Sequence, residues 1–161
     1  MDIVSPAERS RMMAAIKGSN TKPEVFLRKL LHRAGFRFRL HRKDLPGRPD
    51  IVLPKYKTAI FVNGCFWHGH KNCKHFRLPK SRCDFWEAKI RSNIERDERT
   101  KRFLSEAGWN VIVAWECSLP PKSQSFIPSG LAELVNNILN STVSYKKLKF
   151  QNFKNKKQHI Y

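Results

Sequence analysis

Cys65, His70 and Cys73 stand at Cys-x4-His-x2-Cys spacing inside one aromatic-rich segment, Cys65-Phe66-Trp67-His68-Gly69-His70-Lys71-Asn72-Cys73. A loop this short can wrap its side chains round a tetrahedral zinc ion, and a fourth ligand is available in Cys117, Cys83 or another histidine. Cys117 is favoured, because it follows a β-forming run that can hold a side chain rigidly against the loop, whereas Cys83 lies on the approach to a long helix. Four ligands leave no coordination position for an activated water, so this zinc would be structural. Chemistry must then be carried elsewhere.

Asp50 is the leading candidate. It follows Gly47-Arg48-Pro49 and opens a strand, where a carboxylate can hold Mg²⁺ against a phosphodiester, because Mg²⁺ prefers hard oxygen ligands and keeps several waters. His68 cannot readily share the zinc once His70 does, and histidine is suited to general-base work at neutral pH. Glu24 completes a capping box with Thr21, but a carboxylate at a helix start can also hold water at a metal. Phe66 and Trp67 lie between metal ligands and Trp86 near the start of a basic helix, where flat side chains can stack on or wedge between bases. Core packing is the competing use of all three rings.

These residues belong to a chain of 161 residues, 40% hydrophobic, with 32 Lys and Arg against 13 acidic residues and a net charge of +19. That length fits one domain with its own core. The charge calls for a polyanionic partner, nucleic acid first. A membrane is disfavoured, since no run of about 18 apolar residues occurs. Met1 to Ile16 is charged and lacks the apolar stretch of a signal peptide, so a cytoplasmic protein with reduced thiols is expected, and its four cysteines favour metal over disulfides.

The elements that must position the candidates are readable from caps and periodicity. Ser5-Pro6-Ala7-Glu8 and Thr21-Lys22-Pro23-Glu24 each start a helix, the first running to about Ile16 and the second to Gly35. Alternation over Phe36 to Leu40 predicts a half-buried strand, Asp50 to Leu53 a second, and the continuous apolar run Thr58 to Val62 a third that is covered on both faces. Asp84 is read as the cap of a helix reaching Ala107, with Phe85, Trp86, Ile90, Ile94, Phe103 and Leu104 near one face and Gly108 as terminator. A buried strand over Trp109 to Trp115 and a helix through Leu131, Leu134, Val135, Ile138 and Leu139 complete the order αα-βββ-loop-α-β-α. Residues 1–20 are read as an N-terminal helical arm, 21–140 as the domain, and 141–161, with six lysines and no acidic residue, as a basic tail.

Pro46-Gly-Arg-Pro-Asp50, Ile60-Phe-Val-Asn-Gly-Cys-Phe-Trp-His68, Phe85-Trp-Glu-Ala-Lys-Ile90, Asn93-Ile-Glu-Arg-Asp97 and Val113-Ala-Trp-Glu-Cys117 together closely resemble the very short patch repair (Vsr-type) DNA mismatch endonucleases. The resemblance runs from about Ser5 to Leu139. It implies a restriction-endonuclease-like α/β core, a mixed central sheet flanked by helices, with a structural zinc. The implied activity is nicking of the T strand at T:G mismatches left by deamination of 5-methylcytosine, on double-stranded DNA. Carried over by position, Asp50 resembles the Mg²⁺-holding carboxylate, the backbone carbonyl of Val62 a further Mg²⁺ ligand, His68 the base, and Glu24 the group orienting water at that metal. Cys65, His70, Cys73 and Cys117 resemble the Zn²⁺ set. Phe66, Trp67 and Trp86 match aromatics that wedge into the duplex, and Lys89 and Asn93 match residues of the helix approaching it. A cytosine-C5 methyltransferase and mismatch-repair proteins are the implied associates, and a monomer suffices for one nick.

The spacing from His68 to Cys73 and the lysine-rich tail are expected to vary among relatives, and one further departure stands out. Relatives commonly carry Thr-His where this chain has Val62-Asn63; the carbonyl at Val62 is kept, but Asn63 cannot titrate. Two other readings fit the same residues: a restriction-type nicking endonuclease with no mismatch requirement, and a zinc-stabilised DNA-binding module without activity.

Overall fold

The computed structural model describes residues 5–15, 18–119 and 134–140. Two helices come first, α1 (Pro6–Ala14) and α2 (Lys22–Arg33), each opened by the capping box expected of it. They are followed by β1 (Arg39–Leu40), β2 (Ile51–Leu53), β3 (Thr58–Asn63), α3 (Cys83–Glu106) and β4 (Asn110–Trp115). Residues 134–140 form a further helix, α4. Ile16, Leu131 and the tail at 141–161 fall outside the described residues.

The sheet has the order β1-β2-β3-β4. Its first three strands form an antiparallel meander, and α3 carries the chain back so that β4 lies parallel to β3. Period-2 alternation divides the apolar residues between two faces. Ile51, Leu53, Ile60 and Ala114 pack with Leu27 and Leu31 of α2 and Ile138 of α4, while Val52 and Ala59 pack with Leu45 and Leu104 of α3. The result is a mixed α/β sandwich, a four-strand sheet flanked by helices. β3 has core on both sides, as its unbroken apolar run requires.

Four local expectations are corrected. β1 pairs only through Arg39 and Leu40, not from Phe36, because the register would bring residue 37 opposite Pro54, which has no N–H and starts a 3₁₀ turn. Phe36 and Phe38 still pack against the core without ladder partners. The cap of α3 is Arg82, in the left-handed region at φ 53°, and Asp84 sits in the first turn, where its charge faces the helix dipole. Phe85 and Phe103 are about half exposed rather than core residues. β4 is only half-buried, being an edge of the described sheet.

Candidate active site and metal centre

The start of β2, the end of β3, the loop after it and one face of α3 surround a cleft of about 1070 Å³, lined on one side by Ala15, Gly18 and the segment from Asn20 to Glu24. Glu24, Asp50, Val62, Trp67, His68 and Asn93 all line it, together with Arg48, Arg96, Asp97, Lys101 and Glu116. Residues far apart in sequence therefore share one cavity.

Asp50 stands immediately before β2, held by the buried Pro49 behind it. Its Oδ2 accepts the Val62 N–H at 2.8 Å. Continuing the β2–β3 register by two residues sets Pro49 opposite Val62, and proline cannot return a ladder hydrogen bond. N–H and C=O of one strand residue point the same way, so the Val62 carbonyl faces the Asp50 side of the strand. Burial pushes the Asp50 carboxyl above the usual range, and the charge of Glu24 adds to this against the opposing Val62 N–H, His41 and Arg28.

Glu24 is buried and fully engaged. Oε1 accepts from Thr21 N and Oγ1 at 3.2 and 2.8 Å, and Oε2 from Asn20 N at 3.0 Å and Arg28 NH2 at 2.7 Å. A carboxylate offers about four acceptor sites, so none is left for a water unless one of these contacts opens. Arg28 Nη1 also donates to Asn20 Oδ1 at 2.6 Å, and its buried Nε finds no partner among the described residues. Glu24, Asp50 and His41 bring ligand atoms within 4.8 Å of one another. Nothing in the local spacing of His41 signals this, because it reaches the site through a kink at φ 46° directly after β1.

His68 Nδ1 lies 2.5 Å from Asp97 Oδ2, across from the loop on α3. A carboxylate accepts, so Nδ1 carries the hydrogen and Nε2 keeps its lone pair. Asp97 belongs to the Asn93–Asp97 motif, but only the fold connects it with a histidine 29 residues earlier.

The Cys/His loop closes as expected. Cys65, His70, Cys73 and Cys117 bring their ligand atoms within 4.8 Å of one another, whereas Cys83 is exposed at the start of α3 and takes no part. His70 Nδ1 is 3.3 Å from Cys65 Sγ and 3.4 Å from Cys117 Sγ. Nitrogen and sulfur bound to one tetrahedral zinc are separated by about 3.5 Å, so the donors already stand at metal-binding distances. The His70 ring stacks on Trp115, centroids 4.0 Å apart and planes 1° from parallel, and Glu116 Oε1 accepts from Cys65 N at 2.8 Å, so the start and the middle of the loop are tied to the end of β4 and the residue after it. Burial pushes the Cys65 thiol up to about 12, while a hydrogen bond from the His75 backbone holds Cys73 below the ordinary thiol range. A cation entering here must displace a proton from Cys65.

Gly69 lies between the two histidines. At φ 58° it occupies the left-handed region, and a Cβ there would stand 2.7 Å from Ile94 Cδ1 and 2.9 Å from Ile90 Cγ2 of α3. Gly69→Ala is expected to destabilise the protein by about 2–4 kcal/mol, from left-handed strain and overpacking together, read as a lower midpoint in urea. An unshifted midpoint would show that the loop does not press on α3.

Phe66, Trp67 and Trp86 form a triangle of edge contacts, centroids 5.3, 5.3 and 5.9 Å apart, and Phe85 joins Trp86 at 5.3 Å. The triangle is half-buried. Lys89 is exposed one turn further along α3, whereas Asn93 is buried and spends its amide on Trp67 O at 2.9 Å, anchoring the loop. Phe85, expected on the apolar face of the helix, is an exposed edge of the same aromatic group.

The family described as DNA mismatch endonuclease Vsr matches residues 1–75. A type II nicking enzyme of Xanthomonas oryzae pv. oryzae, V.XorIIP, is 52% identical over 118 residues, 73% of this chain and 86% of that protein. V.NmeAIP, a type II nicking enzyme of Neisseria meningitidis, is 46% identical over 85% of this chain and 96% of its own. The DNA mismatch endonuclease Vsr of Escherichia coli is 45% identical over 73% of this chain and 75% of its own. With identities of this size extending over most of each chain, and with the carboxylates, paired histidine and Cys/His loop assembled as described, the chain belongs to the Vsr family of DNA endonucleases.

Proposed function

We propose that this endonuclease nicks the T strand beside T:G mismatches that arise from 5-methylcytosine deamination, using Mg²⁺ at Asp50 and Zn²⁺ in the Cys65/His70/Cys73/Cys117 loop. The observation that carries the reading is one cleft holding Asp50 and the His68–Asp97 pair with Trp67 on its wall. Carboxylate and carbonyl oxygens are the hard donors that suit Mg²⁺, and two or three thiolates with an imidazole suit zinc. A restriction-endonuclease-like core is consistent with the mixed sheet between helices.

Asp50 and the Val62 carbonyl would hold the catalytic cation. That cation would polarise the scissile phosphate and offset charge on the leaving 3′ oxygen. His68 takes the proton of the attacking water at Nε2, and Asp97 fixes the ring tautomer and stabilises the imidazolium that results. Water adds to phosphorus, the bond to the 3′ oxygen breaks, that oxygen takes a proton from solvent, and the products are a 5′-phosphate and a 3′-hydroxyl. Glu24 supplies negative charge beside Asp50 and keeps Arg28 in place. Asp97→Asn is expected to lower kcat about 100-fold or more with little change in KM, because an amide can favour the wrong tautomer. Wild-type kcat in that variant would remove the pair from the mechanism.

Phe66, Trp67 and Trp86, with Phe85 beside them, would wedge into the duplex, where a mismatched pair is easier to unstack than a matched one. Lys89 would contact phosphate, and Asn93 would act by holding Trp67. The helical arm at residues 1–20 would clasp the DNA from the side of the cleft that Ala15 and Gly18 line. One copy suffices for one nick. The reading places the protein in the bacterial cytoplasm at the DNA, alongside a cytosine-C5 methyltransferase and mismatch-repair proteins; among the described residues no helix is long and apolar enough to cross a membrane.

Membership of an endonuclease family sets aside the module without activity. A second reading, nicking of matched DNA at a fixed site, is favoured by the name "type II nicking enzyme" that five of the relatives carry. End-labelled duplexes with a T:G pair in varied contexts, beside T:A and C:G controls, separate the two under Mg²⁺. A nick confined to the T strand of a mismatched duplex is expected, and cleavage of the matched controls would select the second reading.

A further inference from the structure

We propose that His41 is a positioning residue that sets Asp50 and Glu24 for the catalytic cation without touching it. The proposal rests on Asp50 being the residue that holds that cation. His41 follows two exposed residues of β1, and its φ of 46° is a conformation that residues other than glycine seldom adopt. The kink turns the imidazole inward between the two carboxylates. Nε2 lies 3.0 Å from Arg28 NH2 and 3.9 Å from Glu24 Oε2, and Nδ1 lies 3.8 Å from Asp50 Oδ1.

A guanidinium can only donate, so at 3.0 Å the His41 Nε2 must accept. A neutral ring then carries its hydrogen on Nδ1, and that N–H is the one facing Asp50. This arrangement argues against direct ligation. Nε2 is taken by Arg28, and binding through Nδ1 would move the hydrogen to Nε2 and set two N–H groups against each other. What remains is a chain from Glu24 through Arg28 and His41 to Asp50, closed at its last link by attraction over 3.8 Å, longer than a hydrogen bond. Partners that orient a metal ligand in this way commonly govern affinity and rate. Arg28, with its Nε buried and unpaired among the described residues, is accounted for by what its other nitrogens hold.

Two substitutions test this without breaking the backbone. Glycine accepts the left-handed conformation freely, so His41→Gly removes the ring alone. Asparagine also tolerates it and sets an amide N–H near the place of Nδ1. For zinc-loaded proteins at one pH, we would measure Mn²⁺ binding by electron paramagnetic resonance without DNA, kcat against Mg²⁺ on a T:G duplex, and Tm. In His41→Gly, Mn²⁺ affinity and kcat are each expected to fall about tenfold with Tm unchanged, and His41→Asn is expected to recover most of both. Wild-type Mn²⁺ affinity and kcat in His41→Gly would overturn the proposal, as would a fall in Tm that accounts for the loss and that His41→Asn does not reverse. Asp50→Asn measured in parallel keeps the two readings apart. If it binds Mn²⁺ and cleaves as wild type does, the reading of Asp50 has failed; if it does neither while His41→Gly behaves as wild type, only the part given to His41 has.

Discussion

Asp50→Asn should abolish nicking and at the same time make the protein more stable at neutral pH when Mg²⁺ is withheld. The loss follows from removing the charge proposed to hold a cation, which would be worth several kcal/mol of transition-state stabilisation and, at about 1.4 kcal/mol per tenfold, about 10³ or more in kcat. The gain has a different origin. Burial and the neighbouring Glu24 raise the Asp50 carboxyl above its ordinary range. A raised folded-state pKa means that the folded protein binds this proton more tightly than the unfolded chain does. The group's favourable contribution is complete below the unfolded value, about 3.9, and is lost as pH rises through the folded value. At pH 7 the ionised Asp50 therefore weighs against folding. Asparagine carries no charge, and its Oδ1 can still accept the Val62 N–H that Asp50 accepts at 2.8 Å. Thermal melts without Mg²⁺ at pH 7 and near pH 4 check the sign: the variant should melt higher at pH 7, and the advantage should disappear near pH 4. Mg²⁺ should then raise the Tm of wild type and leave the variant unmoved. A variant less stable than wild type at pH 7 would mean that Asp50 serves the fold rather than a cation.

If the Cys/His loop holds zinc as proposed, stripping that metal should be as damaging, though none of the four proposed ligands is expected to touch substrate. Zinc in such a cluster has an apparent binding energy of about 10 kcal/mol or more, comparable with the whole stability of a domain at about 5–15 kcal/mol. Here the sheet has its own two apolar clusters, so the loss should concentrate in residues 65–73. Nicking is expected to fall about 100-fold or more, because His68 is held in that loop two residues from His70. Trp115 reports the event independently: its ring stacks on His70 at 4.0 Å, so its near-ultraviolet circular dichroism should change with metal removal and return with Zn²⁺ but not Mg²⁺. Lower pH should release the metal, since Cys65 must be a thiolate to bind and burial raises its pKa to about 12. Full nicking by the stripped protein would show that the loop holds its shape unaided.

Local spacing revealed whatever was local. The convergence of the Cys/His loop, both capping boxes, the strand after Asp50 and the doubly covered β3 follow from residues within a few positions of one another. Cys117 could be preferred over Cys83 because a strand end holds a side chain better than the start of a helix, and the structure brings Cys117 to His70 at 3.4 Å. His41 and Asp97 were illegible for one reason. Their partners are set by tertiary placement, Asp97 by the crossing of α3 over the loop and His41 by a left-handed residue that no composition rule singles out. β1 is shorter than its alternation suggests, because alternation identifies which side chains turn inward, whereas pairing also needs a partner with an N–H, and Pro54 has none. Phe85 shows the converse: helical spacing makes an aromatic look like core even where it borders an open cluster.

Gly69 separates His68 from His70 by a single residue, and Trp67 precedes them. In the proposed roles, Trp67, His68 and His70 would serve a duplex, a water and a metal within four residues. On that reading an inserted or deleted residue between Cys65 and His70 is expected to disturb recognition, proton transfer and metal binding together, so three tasks bear on the spacing of one short segment.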